Sequence, residues 1–408
     1  MAISRSTEVL VIGAGPVGLL TALRLAEQGV DVEIVDKHRR TGFHSYALAL
    51  HPQTLSLLAE AGLTSELLDR GRRVNRMSFY DARKERVSVS LKEAGGEYPF
   101  ALSLPQSTLE HALEKQLKKK NVEVRWNHKV QDVEPGAAEW KVDIARLDGV
   151  PCGYPIARTE WMIVKTFHTT ASFVVGADGY HSFLREKLCI DYRRLSEADT
   201  YSVFEFESAP DPADEVRVVV EDGRTSVLWP TDDHRCRWSF QVDDPEKHEV
   251  TLEYLNGLIE ARAPWFPEVE GKILWSSMVF FDRRLVERFG QERTWLIGDA
   301  AHLTSPVGVQ SMNAGLTEAW ELGGRLARVA RGEEPTESLE EFDMRRRQEW
   351  GRLLGIDTGL KAAAGVDPWV GDHAWKLLSS IPATGEPLQR LLRDIGLEYC
   401  PASDVASR

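Results

Sequence analysis

Cysteine is scarce in this 408-residue chain, and the four present, Cys152, Cys189, Cys236 and Cys400, form no CxxC and no metal-ligand spacing. No disulfide framework, zinc site or other metal centre is expected. Long apolar runs are missing too: nowhere do about 18 apolar residues follow one another, so no membrane span is expected. The apolar stretch Val9 to Ala26 is no leader, because three glycines, a proline and Arg24 interrupt it. Excess positive charge is also absent. A formal net charge of -13 argues against nucleic acid or an anionic membrane as a partner. Repeats and low-complexity tracts are lacking. A cytoplasmic protein acting on small molecules is the expectation, and the length accommodates two or three domains.

What is present is a glycine turn. Glu8-Val9-Leu10-Val11-Ile12 runs into Gly13-Ala14-Gly15-Pro16-Val17-Gly18, and Asp36 closes a second apolar run, Val32 to Val35. That spacing predicts strand, turn, helix and strand binding a dinucleotide. Gly13 serves the tight turn, Gly15 lets backbone amides approach a pyrophosphate, and Gly18 lets the helix pack on the sheet. Pro16 suits the first helical turn, where its missing N–H is not needed, and the helix N-terminus favours an anion. Asp36 is placed to accept hydrogen bonds from both ribose hydroxyls, which favours FAD or NAD(H) over NADP(H) as primary ligand.

Further along, helices are expected after His51-Pro52 and after Leu104-Pro105-Gln106, the latter with Leu109, Leu113 and Leu117 on one face. Val122 to Trp126 reads as a strand; Trp140 to Ile144 and Trp161 to Val164 read as a meander. From about Tyr192 to Asp282 short strands rich in Trp and Phe dominate. A long helix is expected near Asn313, and residues 346–408 as a short helical extension.

Two further segments narrow the function. Gly176-Ala177-Asp178-Gly179 precedes Arg185, and Gly298-Asp299-Ala300-Ala301-His302 precedes Pro306, Gly308 and Met312-Asn313. A carboxylate at a strand end, as at Asp299, can accept from a ribityl hydroxyl. The loop to Asn313 opens a helix whose N-terminal N–H groups favour negative charge. In order and spacing the three segments resemble the para-hydroxybenzoate-hydroxylase-like family, the single-component class A flavin monooxygenases, over roughly the first 350 residues.

The resemblance implies an α/β fold: a Rossmann-type FAD-binding domain with an inserted antiparallel β-sheet substrate domain and a short C-terminal helical extension. The expected division is 1–75, 102–190 and 285–345 for FAD, 76–101 and 191–284 for substrate, and 346–408 for the extension. It implies resident non-covalent FAD, transient NADPH or NADH, and dioxygen, with oxygen delivered to an aromatic or polyketide-like molecule through a flavin hydroperoxide. Carried over residue by residue, the FAD contacts fall on Gly13, Gly15, Pro16, Val17, Gly18, Asp36, Lys37, Gln106, Val130, Asp178, Asp299, Gly308, Ser311, Met312 and Asn313. The Pro306 carbonyl is the candidate contact to a phenolic substrate, and Trp229, Pro230 and Phe240 are candidate pocket residues. His302 is expected to pack near the cofactor and not to act as a base.

Two positions depart from the family: Ser311 replaces a common glycine and Tyr46 a common arginine. The lost cation is left to Arg39, Arg40 or Arg185; Arg39, Arg40 and Arg283 are also candidates for the nicotinamide nucleotide. A flavin halogenase would need a Trp-x-Trp-x-Ile-Pro segment and a pocket lysine, which are lacking. A same-fold reductase and a non-catalytic FAD-binding protein remain as alternatives, and oligomeric state stays open.

Overall fold

The computed structural model describes residues 5–40, 49–136, 139–152, 158–207, 213–244, 249–356 and 358–401. Its organising strand is Arg5–Ile12, parallel to Val32–Val35 on one side and to the end of Arg158–Gly176 on the other. The latter runs parallel to Thr294–Leu296, and Gly290–Gln291 closes that edge. Val9, Leu10, Val11 and Ile34 are fully buried, as residues of a parallel sheet covered on both faces must be. One cover is the helix Pro16–Glu27, against which the long helix Gln310–Ala330 packs.

Three strands, His128–Pro135, Trp140–Cys152 and Arg158–Gly176, form an antiparallel meander on this sheet. Here the structure departs from expectation. Val122 to Trp126 makes no strand but a single bridge, Val35 to Arg125, because left-handed turns at Asn121 and Asn127 bracket it. Trp161 to Val164 lies on a 19-residue strand that continues to Gly176.

A second, seven-stranded sheet runs in the order Ile273–Phe281, Asp199–Glu207, Arg235–Val242, Arg224–Asp232, Glu215–Glu221, Arg76–Tyr80, Glu85–Ser90. It is antiparallel except at one seam, where Glu215–Glu221 lies parallel to Arg76–Tyr80. Those strands are far apart in sequence, so no hairpin imposes an antiparallel direction. Alternation sorts the side chains. Phe204, Phe206, Cys236, Trp238 and Phe240 pack outward beneath the helix Leu252–Arg262, while Val203, Val227, Trp229 and Arg237 line a cavity on the opposite face.

The helix Ser338–Leu354 runs through position 346 and stops at Gly355, which takes a left-handed φ of 69°. Beyond it the extension is not wholly helical: Thr358–Ala362 pairs antiparallel with Leu397–Pro401, around short helices Pro368–Asp372, Ala374–Ser380 and Gly385–Asp394. Among the described residues, no helix is long and apolar enough to cross a membrane.

Candidate active site

The glycine turn builds one end of a long groove. Gly13 takes a φ of 103°, and a side chain there or at Gly18 would collide with the backbone of Ala177 or of Gly13 itself. Gly15 differs, because a Cβ there would meet nothing within 4 Å. It caps the Pro16–Glu27 helix without a side-chain bond, so the first-turn amides face the groove, the arrangement an anion seeks. Val17, half-buried, lines the adjoining cleft with Gly15 and Pro16.

Asp36 stands at the groove wall with both oxygens already engaged on one side. Oδ2 accepts from the Ala14 amide at 2.7 Å, and Oδ1 from the His38 amide at 2.7 Å. Oδ1 also meets the His38 ring Nδ1 at 2.8 Å, so Oδ2 is the oxygen with a second lone pair left to receive a ribose hydroxyl. Lys37, Val130 and Asp178 line the same groove, which encloses about 1090 Å³. Asp178 Oδ2 accepts from the amides of Phe183 (2.7 Å) and Leu184 (3.3 Å), while Oδ1 is buried without a protein partner. Burial pushes its carboxyl up, opposed by the Ser182, Leu184 and Phe183 hydrogen bonds.

Gln106 joins this groove to a second cavity of about 290 Å³. Its Nε2 donates to Glu110 Oε1 at 2.8 Å; Glu110, almost wholly buried on the next helical turn, is pushed up to about 7 by desolvation. Asp299, Pro306, Ser311 and Met312 line the second cavity. The Asp299 side chain opens onto the cleft while its carbonyl accepts from the Tyr192 hydroxyl at 3.1 Å. Desolvation by the surrounding walls raises its carboxyl, opposed by nearby His302, with Glu318 adding to the rise. Ser311 Oγ accepts from the Thr304 amide at 3.0 Å, so this departure from the family supplies a clamp across the loop.

Two of the expected residues also brace the loop. Gly308 is buried away from the cleft: a Cβ there would stand 2.6 Å from the Ser379 carbonyl oxygen, so glycine is needed to dock the extension. Asn313 is fully buried, and its amide donates to the carbonyls of Ala49 (2.9 Å) and Val309 (2.8 Å) and accepts from the His51 amide (2.8 Å). Its side chain is consumed in bracing the loop. His51 Nε2 in turn donates to the Gly308 carbonyl at 2.8 Å, and burial drives this imidazole down to about 3. Val309, the helix N-cap, adopts a left-handed φ of 52°, a strained choice for a β-branched residue.

Behind the Gly298-Asp299 turn, Glu318 is wholly buried. It accepts from the Gly298 amide (3.0 Å), His302 Nε2 (2.7 Å) and Trp350 Nε1 (2.9 Å). His302 therefore packs behind the cleft, stacked on Trp350. Glu318 escaped sequence reading, although a carboxylate between Ala314 and Leu322 on an apolar helix face was a visible signal. Arg185 is committed elsewhere: it donates to the carbonyls of Ala300 (2.9 Å) and Tyr180 (2.8 Å) and braces the two turns instead of replacing a pyrophosphate cation. Arg39 is exposed with its guanidinium over the Trp161 ring. Tyr46 lies outside the described residues.

Phe281, Pro306 and Val309 line both the 290 Å³ cleft and a smaller cavity beneath the second sheet. Of the three pocket candidates only Trp229 lines that cavity, with its indole N–H donating to the Val307 carbonyl at 3.3 Å. Phe240 faces the opposite side, stacked on Trp238, and Pro230, one residue out of phase with Trp229, does not line it. Period-two alternation explains both, and it brings in Arg237 and Trp275, which the sequence reading did not single out.

Groove and cleft together suit FAD: an N-terminal helix turn with open space at Gly15, an acid on the groove wall, the unpartnered Asp178 Oδ1, and a second helix start at the far end. Comparison with known proteins agrees. A family model described as FAD binding domain matches residues 6–354. The 6-methylpretetramide 4-monooxygenase of Streptomyces rimosus is 29% identical over 94% of the chain and 67% of that protein. The para-nitrophenol 4-monooxygenase of Pseudomonas sp. (strain WBC-3) is 26% identical over 83% of the chain and 82% of its own length. Among solved structures, p-nitrophenol 4-monooxygenase PnpA from Pseudomonas putida DLL-E4 superposes with a TM-score of 0.76 at 20% identity, covering 96% of this chain and 98% of that one. Aklavinone-11 hydroxylase, solved with FAD and aklavinone, gives 0.69 at 22% identity over 86% and 67%. The chain spans 67% and 64% of the first two curated relatives it matches.

Proposed function

This chain belongs to the FAD binding domain family, and we propose that it is an FAD-dependent aromatic monooxygenase of the class A type that hydroxylates a small aromatic molecule with NAD(P)H and dioxygen. One observation carries the proposal: the cleft that suits the flavin end of FAD shares Phe281, Pro306 and Val309 with an aromatic-lined cavity beneath the second sheet. A substrate ring in the cleft beside the cofactor therefore lies against residues that also line the small cavity beneath the sheet.

Balance requires that substrate, dioxygen, NAD(P)H and one proton give hydroxylated product, NAD(P)⁺ and water. Bound FAD supplies the redox chemistry, taking a hydride and activating dioxygen. The chain binds, orients and dries the site. Gly13, Gly15, Pro16 and Gly18 hold the pyrophosphate at a helix start; Asp36, Lys37 and Val130 hold the adenosine end; Gln106, Asp178 and Asp299 meet the chain between. Ser311 and Met312, at the start of the long helix, place amides and a positive dipole end where negative charge is to be stabilised. The Pro306 carbonyl, which accepts from the Val309 amide at 3.2 Å, keeps a second lone pair that would accept from a phenolic hydroxyl, and the apolar sheet face would exclude water.

Mass spectrometry of products from a panel of phenols and aromatic polyketides, incubated with enzyme, NAD(P)H and labelled dioxygen, tests this. One labelled oxygen per product is expected. Products carrying only added hydrogen, or NAD(P)H oxidation with unlabelled product throughout, would overturn it.

A further inference from the structure

One hairpin runs out beyond the first sheet. Arg158–Gly176 pairs with Arg5–Ile12 only from Thr169 onward, and its neighbour Trp140–Cys152 pairs with His128–Pro135 only as far as Arg146. Past those points the two strands form an arm of their own, Arg158 to Ile163 against Leu147 to Cys152. Among the described residues, no strand pairs with the outer side of Arg158 to His168.

That arm carries an unbroken apolar run in contact with water. Trp161, Met162, Ile163 and Val164 are 45%, 49%, 54% and 49% exposed, whereas exposed apolar residues on a surface are ordinarily scattered singly. Two exposed charges of opposite sign bound the run, Glu160 and Lys165. The Lys165 ammonium lies 4.7 Å from the Phe167 ring centroid, and neither charge has an ion-pair partner among the described residues.

Strand register makes this run complementary to a second copy of itself. Ile163 stands opposite Leu147 and Lys165 opposite Arg146, so Val164 is the extra residue of a bulge. The bulge resets the alternation: Glu160, Met162 and Lys165 share one face, while Trp161, Ile163 and Leu147 share the other. Without it Glu160 and Lys165 would point to opposite faces. Two copies paired antiparallel along the free edge, about a two-fold axis at Met162, therefore set Glu160 against Lys165 at both ends of the seam, Met162 against Met162, and Trp161 against Ile163 and Val164.

We infer that the arm is the interface of a homodimer in which two arms join as one four-stranded sheet. An open edge beside apolar side chains is a template for another strand, and opposite charges that meet across it fix the register. Lipid is the poorer occupant, because it offers no partner to the free backbone donors and acceptors of that edge. From Glu160 to Lys165 the seam is roughly 20 Å long at about 3.4 Å per residue, so the dimer belongs to the small, reversible class. Its position also bears on the cofactor groove: the Arg39 guanidinium lies 5.1 Å from the Trp161 ring centroid, and Arg39 lines the groove's adenosine end.

Sedimentation velocity of the FAD-loaded chain from about 1 to about 200 μM tests this over the affinities such an interface supplies. A concentration-dependent equilibrium of monomer and dimer is expected. Glu160→Lys and Lys165→Glu each set like charges opposite one another at both ends of the seam and should weaken the dimer about ten-fold or more. Glu160→Lys/Lys165→Glu exchanges the signs and should return the affinity to within about three-fold of the parent. Both positions are exposed, so FAD content should not change. Met162→Cys should give a disulfide-linked dimer on mild oxidation, while Glu160→Cys, which meets Lys165, should give no more than the parent with its four native cysteines. A chain monomeric throughout the range, a dimer that both single variants leave intact, or a double variant as dissociated as the single ones overturns the inference. A monomer that cosediments with phosphatidylcholine vesicles would overturn it in favour of a lipid surface.

Discussion

Acid should weaken this fold through one imidazole. His51 is completely buried, braces the loop carrying Pro306 through its bond to Gly308, and has its pKa driven from 6.5 to about 3 by burial. At a pH of about 7.5 the ring is neutral folded or unfolded. As pH falls below 6.5 the unfolded chain takes a proton that the folded one refuses, so stability drops with falling pH. At a pH of about 5 the unfolded ring lies roughly 1.5 units below its pKa, worth about 2 kcal/mol at about 1.4 kcal/mol per unit. By a pH of about 3 the cost reaches about 5 kcal/mol, a large share of a typical domain's stability. The comparison variant is His51→Gln, which retains an N–H for the Gly308 carbonyl and cannot titrate. Urea unfolding with saturating FAD at fixed concentration, followed by tryptophan fluorescence, gives the pH dependence of each protein. Other histidines titrate in both and cancel. The unaltered protein should lose about 2 kcal/mol more than the variant between the two upper pH values. Parallel curves, agreeing within about 0.5 kcal/mol, would refute a neutral buried His51.

Removing the hub behind the Gly298-Asp299 turn should be costly. Glu318→Ala strands the Gly298, His302 and Trp350 donors, each worth about 1–3 kcal/mol when left unpaired, so a loss of at least about 3 kcal/mol is expected in the same urea assay, against about 1–2 for Glu318→Gln; equal losses would contradict the charge-accepting role. Asp36→Ala should weaken FAD binding about ten- to hundred-fold by loss of charge-assisted bonds, read by FAD fluorescence quenching, with unchanged affinity the adverse result. Gly315→Ala places a methyl 2.8 Å from Val17 Cγ2 and 3.0 Å from Gly298 Cα, and overpacking of about 1–3 kcal/mol should appear as a lower urea midpoint and poorer FAD retention. A midpoint equal to that of the parent would show that the two helices part without cost.

How much was legible beforehand depends on the distance over which each feature is encoded. The glycine turn, its strand and its helix are local, and composition carries them. The strand expected over Val122 to Trp126 failed because asparagines at each end turn the chain, a bias that apolar alternation does not reveal. Gly308 and Asn313 were expected at the cofactor because they sit in the right motif; what the sequence did not show is that the motif's own loop uses Gly308 to admit the extension and the Asn313 side chain to hold His51. Glu318 could be noticed as an acid on an apolar face, but its three donors come from three different segments and could not be named.

From its order of residues alone, this chain determined a dinucleotide turn at Gly13 to Gly18, an acid at Asp36, two later fingerprint turns and an aromatic-rich insert, because each depends on neighbours within a few residues or on the period of a strand. Which face of the insert meets the cofactor was decided only by the tertiary structure. Strand register, set by pairing between segments far apart in sequence, turned Phe240 outward and brought Trp229, Arg237, Glu205 and Trp275 into one row. A one-residue slip would have exchanged the two faces.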